Sequence, residues 1–246
     1  MARASKRARR TSAFYMPGAF DLFTPSKELV LKNIWIFGPL YALSLVFYIH
    51  SWIWSPLPNQ PVSWWHHADG FSSAWPGSPL PIHITFLSVG FSVLWLLIIM
   101  LIGTIVQIMS NAAQLVAAEG KRLDFNNLWQ IVKELGWRMW GLYLLTGLIV
   151  FVGLVLLIVP GLIFIRRYFL APYVMLDKKT DIMESLNMSA SLSKANTGAV
   201  WGVIGVMFLI GLLNILPYIG GLAAFVIGAL YSVAPALRYQ QLKKLA

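Results

Sequence analysis

Long apolar runs alternate with short polar segments along most of the chain. The run from Gly141 to Val159 contains no charged residue, and at the ~1.5 Å rise of an α-helix it is about long enough to cross ~30 Å of hydrocarbon. Comparable runs recur on both sides of it. The pattern therefore predicts an all-α, polytopic membrane helix bundle of about six transmembrane helices. The predicted crossings are 34–54, 84–108, 141–159, 161–176, 199–216 and 222–236.

Polar segments beside three of these runs have the spacing of amphipathic cytoplasmic helices. The first, 25–33, leads into the first crossing, and Thr24 or Ser26 is placed to cap it. The second opens at Asp124 and continues without a break into the third crossing. The third covers 181–193 and is rich in small residues, which favours close packing against neighbouring helices.

Composition agrees with a membrane protein. Hydrophobic residues make up 58% of the chain and charged residues 11%, roughly half the charged share of an ordinary soluble domain. Apolar surface of this extent suits a bundle that is solvated by lipid. Because the chain has no cysteine, disulfides and cysteine-ligated metals are excluded.

Positive charge is confined mainly to alternate connections of the predicted bundle. The net charge is +10, yet no lysine or arginine lies between Lys32 and Lys121. By the positive-inside rule the basic segments face the cytoplasm and 55–81 faces outward. The predicted localisation is the cell (inner) membrane, with N- and C-termini cytoplasmic. Membrane topology accounts for the charge, so nucleic acid is not an expected partner.

The chain is predicted to form one folded domain. Residues 1–20 are predicted to be a disordered basic cytoplasmic tail, and 21–246 a single six-helix transmembrane domain with an outer loop at about 55–83. The tryptophan-rich loop either stacks on envelope sugars or lies on the outer headgroups. Its adjacent histidines, His66 and His67, have one nearby acid and no cysteine, which leaves a metal site incomplete.

An internal repeat is visible in the second half of the chain. Each copy has a tryptophan, an apolar run, a proline and a glycine where the chain turns outside, and a tyrosine shortly before Ala-Pro. These residues are Trp140, Pro160, Gly161, Tyr168, Ala171 and Pro172 in one copy, and Trp201, Pro217, Gly220, Tyr231, Ala234 and Pro235 in the other. A looser third copy begins at Asp21. The pattern predicts repeated helix-hairpin units, the alternative being chance similarity among apolar segments.

One segment carries a resemblance to a known family. It combines Pro-Gly, a tyrosine, Ala-Pro, an acid and a helix with Glu-Ser-Leu and a later serine before lysine, at Pro160, Gly161, Tyr168, Ala171, Pro172, Asp177, 184–186 and 191–194. This pattern resembles YciC-like bacterial inner-membrane proteins and the membrane domain attached to some glycerophosphodiester phosphodiesterases. The chain departs from it at Ala195-Asn196, where relatives often have glycine. The resemblance implies a six-crossing helical fold and no activity, because the phosphodiesterase chemistry belongs to a separate soluble domain.

Two adjacent arginines, Arg166 and Arg167, follow the third predicted crossing by only a few residues. Arginine within a membrane usually marks a pathway or pairs with an acid or a phosphate. Asp177 and Glu184 lie beyond the far end of the predicted helix. We therefore expect one arginine to bind the phosphate of an anionic phospholipid headgroup and the other to extend to the outer headgroups. The alternative is that both serve only as anchors.

A stripe of amides is the second candidate site. Gln107, Asn111 and Gln114 lie on one face of a helix that is expected to continue from the second crossing to Ala118. They could line a polar vestibule at the cytoplasmic mouth. Interhelical hydrogen bonding is the alternative.

The pattern does not predict an enzyme. The nine acids are scattered, and all four histidines fall outside or at the outer interface, so no catalytic, cofactor or metal site is expected. We expect a scaffold or accessory protein that interacts with membrane lipids, and with membrane protein partners or further copies of itself as a homo-oligomer. The alternative is a small-molecule or lipid transporter, for which Asn214 and the short fourth crossing are the only hints.

Overall fold

The computed structural model describes residues 16–54, 82–216 and 219–245, and this part of the chain is helical without a strand. The predicted fold class is confirmed. Short 3-10 turns at Phe20–Leu22 and Leu213–Ile215 accompany ten α-helices. In chain order these are α1 Phe23–Lys32, α2 Ile34–Trp54, α3 Ile82–Ala118, α4 Phe125–Leu156, α5 Ile158–Tyr168, α6 Ala171–Lys178, α7 Ile182–Ala195, α8 Thr197–Leu212, α9 Gly220–Tyr231 and α10 Ala234–Lys243.

Several described stretches are long and apolar enough to cross a membrane. Five qualify by length and composition: Met100–Ala118, Phe125–Leu156, Ile158–Lys178, Thr197–Ile215 and Gly220–Lys243. A sixth results if Phe20–Lys32 and Ile34–Val46, which are bent by 98°, count as one span. Large side chains on α4, such as Phe151 and Val155, are exposed, as expected of a surface that faces lipid. These features agree with a bundle of about six crossings.

Local signals predicted three helices well. The first crossing, 34–54, is α2, and the second continues to Ala118 as the end of α3. Asp124 caps α4, because its Oδ1 accepts a 3.4 Å hydrogen bond from the Asn126 backbone N–H. From there α4 continues unbroken into the third crossing, as the sequence predicted.

The turn between α4 and α5 lies earlier than predicted. The sequence placed it at Pro160-Gly161, but the helix breaks at Leu157, where φ is −158° and ψ is 131°. Pro160 instead lies in the first turn of α5, where a missing N–H costs no intrahelical bond. Gly161 is needed for contact between the helices, since a Cβ there would lie 2.7 Å from the Leu154 backbone nitrogen.

The predicted fourth and sixth crossings are each made of two helices. The first breaks at 169–170, between α5 and α6, and the second at 232–233, between α9 and α10. Both α6 and α10 begin with Ala-Pro, so a proline occupies the first helical turn in each, a position that proline favours. The breaks therefore fall at corresponding places in the two copies of the repeat.

The two copies of the repeat also resemble each other in an interhelical hydrogen bond, which Ser26 makes in one copy. Its hydroxyl donates a 2.7 Å hydrogen bond to the Leu230 carbonyl at the end of α9. Ser189 on α7 donates a bond of the same length to the Arg167 carbonyl at the end of α5. Leu230 precedes the tyrosine of its copy as Arg167 does in the other. The prediction that Thr24 or Ser26 caps α1 is wrong, because α1 already begins at Phe23 without a side-chain cap, and the buried Ser26 hydroxyl is used in this interhelical contact.

The described chain divides into two compact units. One comprises 16–40 and 107–245, and the other is Tyr41–Val106. The larger unit contains a core cluster formed by Leu115, Leu170, Tyr173, Val174, Val200, Ala236, Tyr239 and Leu242. Residues 16–19, assigned by sequence to the disordered tail, pack in this unit. Residues 1–15 and the part of the predicted outer loop at 55–81 lie outside the described residues.

Candidate functional site

Arg166 and Arg167 lie in the last turn of α5, at the end away from the α4–α5 turn. The Arg166 side chain does not extend toward that turn, as the sequence analysis allowed for one arginine. Its Nη1 donates a 2.9 Å hydrogen bond to Thr197 Oγ1, at the start of α8. This difference arises because α7 packs back along α5 and α6, which brings the α7–α8 connection beside the two arginines.

Two serines of α7 hold the backbone of the arginine pair. Ser189 and Ser193 are fully buried on one face of α7. Ser189 Oγ donates to the Arg167 carbonyl at 2.7 Å, and Ser193 Oγ donates to the Arg166 carbonyl at 2.8 Å. The last carbonyls of a helix have no intrahelical partner, so these hydroxyls satisfy acceptors at the end of α5. The backbone is thereby fixed while the guanidinium groups keep their hydrogen-bonding capacity.

The Arg166 guanidinium is only partly satisfied within the described chain. Its Nε is buried and lacks a hydrogen-bond partner there. Among the same residues no carboxylate lies within 4.0 Å of Arg166 or Arg167. A buried donor without an acceptor costs about 1–3 kcal/mol, and more when it is charged. The half-buried pair can therefore accommodate an anionic acceptor from outside the chain.

The amide stripe is found on one face of α3, and its buried members bond to other helices. Asn111 Nδ2 donates to the Tyr143 hydroxyl at 2.7 Å. The Tyr173 hydroxyl donates to Gln114 Oε1, also at 2.7 Å. Gln107 is exposed and donates to Asn111 Oδ1 at 3.2 Å. Asn111 and Gln114 thus take part in the interhelical hydrogen bonding that was the alternative, and the polar vestibule stays a prediction.

The hydrogen bond between Gln114 and Tyr173 belongs to a larger network of polar and aromatic contacts that the sequence did not predict. The rings of Tyr173 and Tyr239 stack with centroids 6.3 Å apart. The Tyr239 hydroxyl donates to Asp177 Oδ2 at 2.7 Å, and Lys243 Nζ donates to Asp177 Oδ1 at 2.8 Å. The network joins α3, α6 and α10. Tyr239 and Lys243 follow the sixth predicted crossing, which was expected to end at 236, and the repeated Ala-Pro at the start of α10 was the signal that this segment packs as α6 does.

A second acid connects α3 with α10 at the edge of this network. Gln240 Nε2 donates to Glu119 Oε1 at 3.1 Å, and Lys121 Nζ lies 2.6 Å from Glu119 Oε2. The hydrogen bond and the charge of Glu119 raise the pKa of Lys121 above its ordinary value. Lys121 is therefore charged at neutral pH, in agreement with its use as a topology marker.

No group of three or more histidine, aspartate or glutamate side chains able to hold a metal occurs among the residues that the structure describes. His66 and His67, the histidines weighed as metal ligands, lie outside those residues.

The fold and these sites define a multi-pass α-helical membrane protein with two arginines beside the break in one of its spans. No protein-family model, curated protein or solved structure matches the chain. The resemblance to YciC-like membrane proteins therefore stays a prediction.

Proposed function

We propose that this membrane protein binds an anionic phospholipid headgroup at Arg166 and Arg167, and acts as a scaffold or accessory protein of the cell membrane. The observation that carries the proposal is the half-buried arginine pair, which has no carboxylate within 4.0 Å among the described residues. A lipid phosphate offers several strong acceptor oxygens, and arginine donates to phosphate from two parallel N–H groups. Such a bond compensates the charge of the arginine pair from outside the chain.

The surroundings of the pair support an anionic lipid. Lys194, in the last turn of α7, is exposed, as is Lys178 at the end of α6. Basic side chains near a membrane surface attract anionic headgroups by about 1 kcal/mol each. The same distribution of positive charge supports cytoplasmic termini. Lipids attracted to this face would be held by the arginine pair, and membrane protein partners or further copies of the chain would then assemble on the protein–lipid surface.

Lipid retention tests this proposal. The full chain is purified in a neutral detergent, and the retained phospholipids are quantified by mass spectrometry. We expect the ratio of anionic to zwitterionic lipid to fall in Arg166→Gln. In Arg166→Lys the ratio should lie between those of the wild type and Arg166→Gln, because lysine keeps the charge but cannot bind two phosphate oxygens at once as a planar guanidinium does. Arg122→Gln, at an exposed arginine, is the matched control. An unchanged ratio in the double variant Arg166→Gln/Arg167→Gln would show that the pair only anchors α5.

The second candidate function is transport of a small molecule or lipid. The specific observation in its favour is that α5–α6 and α9–α10 are broken at corresponding places in two copies of a repeat, and interrupted spans of this kind form substrate sites in many transporters. Flux of fluorescent phospholipid across proteoliposomes tests it. Flux above that of protein-free vesicles, lost on Asp177→Asn, would favour transport over a scaffold.

A further inference from the structure

Arg238 is a buried cation that neither the lipid site nor the polar network uses. It is 1% exposed, in the middle of α10. Nη1 donates to Gln241 Oε1 and Nη2 donates to the Pro17 carbonyl, each at 2.9 Å. Nε has no partner, and no carboxylate lies within 4.0 Å in the described part of the chain. Both acceptors are neutral, so the charge itself is not compensated.

The side chain lines a cavity of about 270 Å³. Its wall consists of residues 16–19 on one side and of Gly198, Ala199 and Gly202 of α8 on the other. The segment before α1 is held there because the Tyr231 hydroxyl donates to the Ala19 carbonyl at 2.8 Å. The volume lies just below the ~300–1,000 Å³ of ordinary ligand pockets, so it suits a small anion with a short substituent.

The first turn of α8 forms part of the wall of the same cavity. The first N–H groups of an α-helix have no intrahelical partner and carry a partial positive charge. Gly198 and Ala199 belong to that turn, and no side chain caps it. A helix N-terminus of this kind is a common phosphate-binding element. Here it occurs beside an independent feature, the buried guanidinium with an unused N–H.

We propose that the Arg238 cavity binds a phosphate group, either free or carried by a small alcohol such as the glycerol of a phospholipid headgroup. The site is separate from the lipid-headgroup site, since Arg166 and Arg167 do not line the cavity. The Arg238 guanidinium supplies the positive charge, while the start of α8 supplies backbone donors. Asp21 is the acid closest in sequence to the cavity wall at 16–19. It is exposed, and its Oδ2 accepts a 2.8 Å hydrogen bond from the Gly18 N–H.

Equilibrium binding to the full chain in neutral detergent tests this site. The probes are radiolabelled inorganic phosphate, glycerol 3-phosphate, and mixed micelles that contain phosphatidylglycerol or phosphatidylcholine, all at constant ionic strength. We expect saturable binding of a phosphate-bearing probe with a dissociation constant about tenfold or more higher in Arg238→Gln, since charge-assisted bonds to phosphate are the strong ones. Binding of the soluble probes identifies a free phosphate ligand, and binding of phosphatidylglycerol alone identifies a lipid headgroup.

Two further variants keep the test decisive. Gly198→Met introduces a long flexible side chain into the cavity wall at a position where the added Cβ meets nothing within 4 Å, and it should abolish binding even if Arg238→Gln fails to fold. Arg166→Gln should lose anionic lipid at its own site and keep the Arg238 ligand. The proposal is overturned if the wild type binds none of the probes, if Gly198→Met binds normally, or if only Arg166→Gln loses the ligand.

Discussion

Ser26 and Leu230 lie 204 positions apart in the chain, yet the Ser26 hydroxyl donates a 2.7 Å hydrogen bond to the Leu230 carbonyl. The same oxygen accepts a 3.1 Å bond from the Val233 N–H, across the break between α9 and α10. One hydroxyl therefore satisfies a donor and an acceptor that the broken span leaves without helical partners. Unpaired backbone groups are costly in a membrane, so α1 allows the sixth crossing to be interrupted.

We expect Ser26→Ala to destabilise the protein by about 1–3 kcal/mol, because it leaves two buried backbone groups unpaired. Ser189→Ala, which frees only the Arg167 carbonyl, should cost less than Ser26→Ala. Equilibrium unfolding in mixed micelles, followed by tryptophan fluorescence, measures both.

Ser191→Ala is the matched control for these serine variants. It lies on the exposed face of α7 and donates to Met188 within its own helix, so it should change stability by less than about 0.5 kcal/mol. Equal losses in Ser191→Ala and Ser26→Ala would show that the interhelical serine bonds contribute nothing specific.

The contact between α4 and α5 gives the next prediction. We expect Gly161→Ala to lower stability by about 1–3 kcal/mol, because the new Cβ would lie 2.5 Å from Leu154 Cγ and 2.7 Å from the Leu154 backbone nitrogen, which cannot move aside as the end of a flexible side chain can. Gly147→Ala in α4 is the control, since its Cβ meets nothing within 4 Å and alanine is the better helix former. Thermal melting in detergent measures both, and a stable Gly161→Ala protein would contradict the close packing.

These examples show where sequence reasoning succeeds and where it stops. The bounds of α2 and the start of α4 depend on an apolar run and on the cap Asp124, both of which are local signals. The break at Leu157 depends on the approach of Gly161 to Leu154. A residue pattern does not reveal that approach until the two helices are packed.

The candidate sites divide in the same way. The arginine pair and the amide stripe were visible because unusual polar residues interrupt apolar runs. Arg238 was not distinguishable from neighbouring basic residues near the C-terminus, because its burial depends on Pro17 and Gly202, far away in sequence. The orientation of Arg166 toward Thr197 likewise depends on how α7 folds back.

A double-mutant cycle can measure how strongly α3 is joined to α6. Gln114→Ala and Tyr173→Phe each remove one partner of the 2.7 Å hydrogen bond. We expect a coupling free energy of about 0.6 kcal/mol and no more than about 1.7 kcal/mol, the average and the maximum found for side-chain bonds between membrane helices. Gln114→Ala with Tyr143→Phe is the control cycle, because Tyr143 bonds to Asn111 instead. A larger coupling in the control would contradict the assigned pairing.

Membrane orientation is open to direct labelling, because the chain has no cysteine of its own. Single cysteines at Trp64 and Lys121 should react with a membrane-impermeant maleimide from opposite sides, since only the second lies in a basic segment. In intact cells the Trp64→Cys protein should be labelled at once and the Lys121→Cys protein only after permeabilisation. Cysteine at Arg122 should behave as at Lys121 and controls for the loss of one charge. Labelling of Trp64→Cys and Lys121→Cys from a single side would contradict cytoplasmic termini and an even number of crossings, and would remove the support that surface charge gives to the lipid proposal.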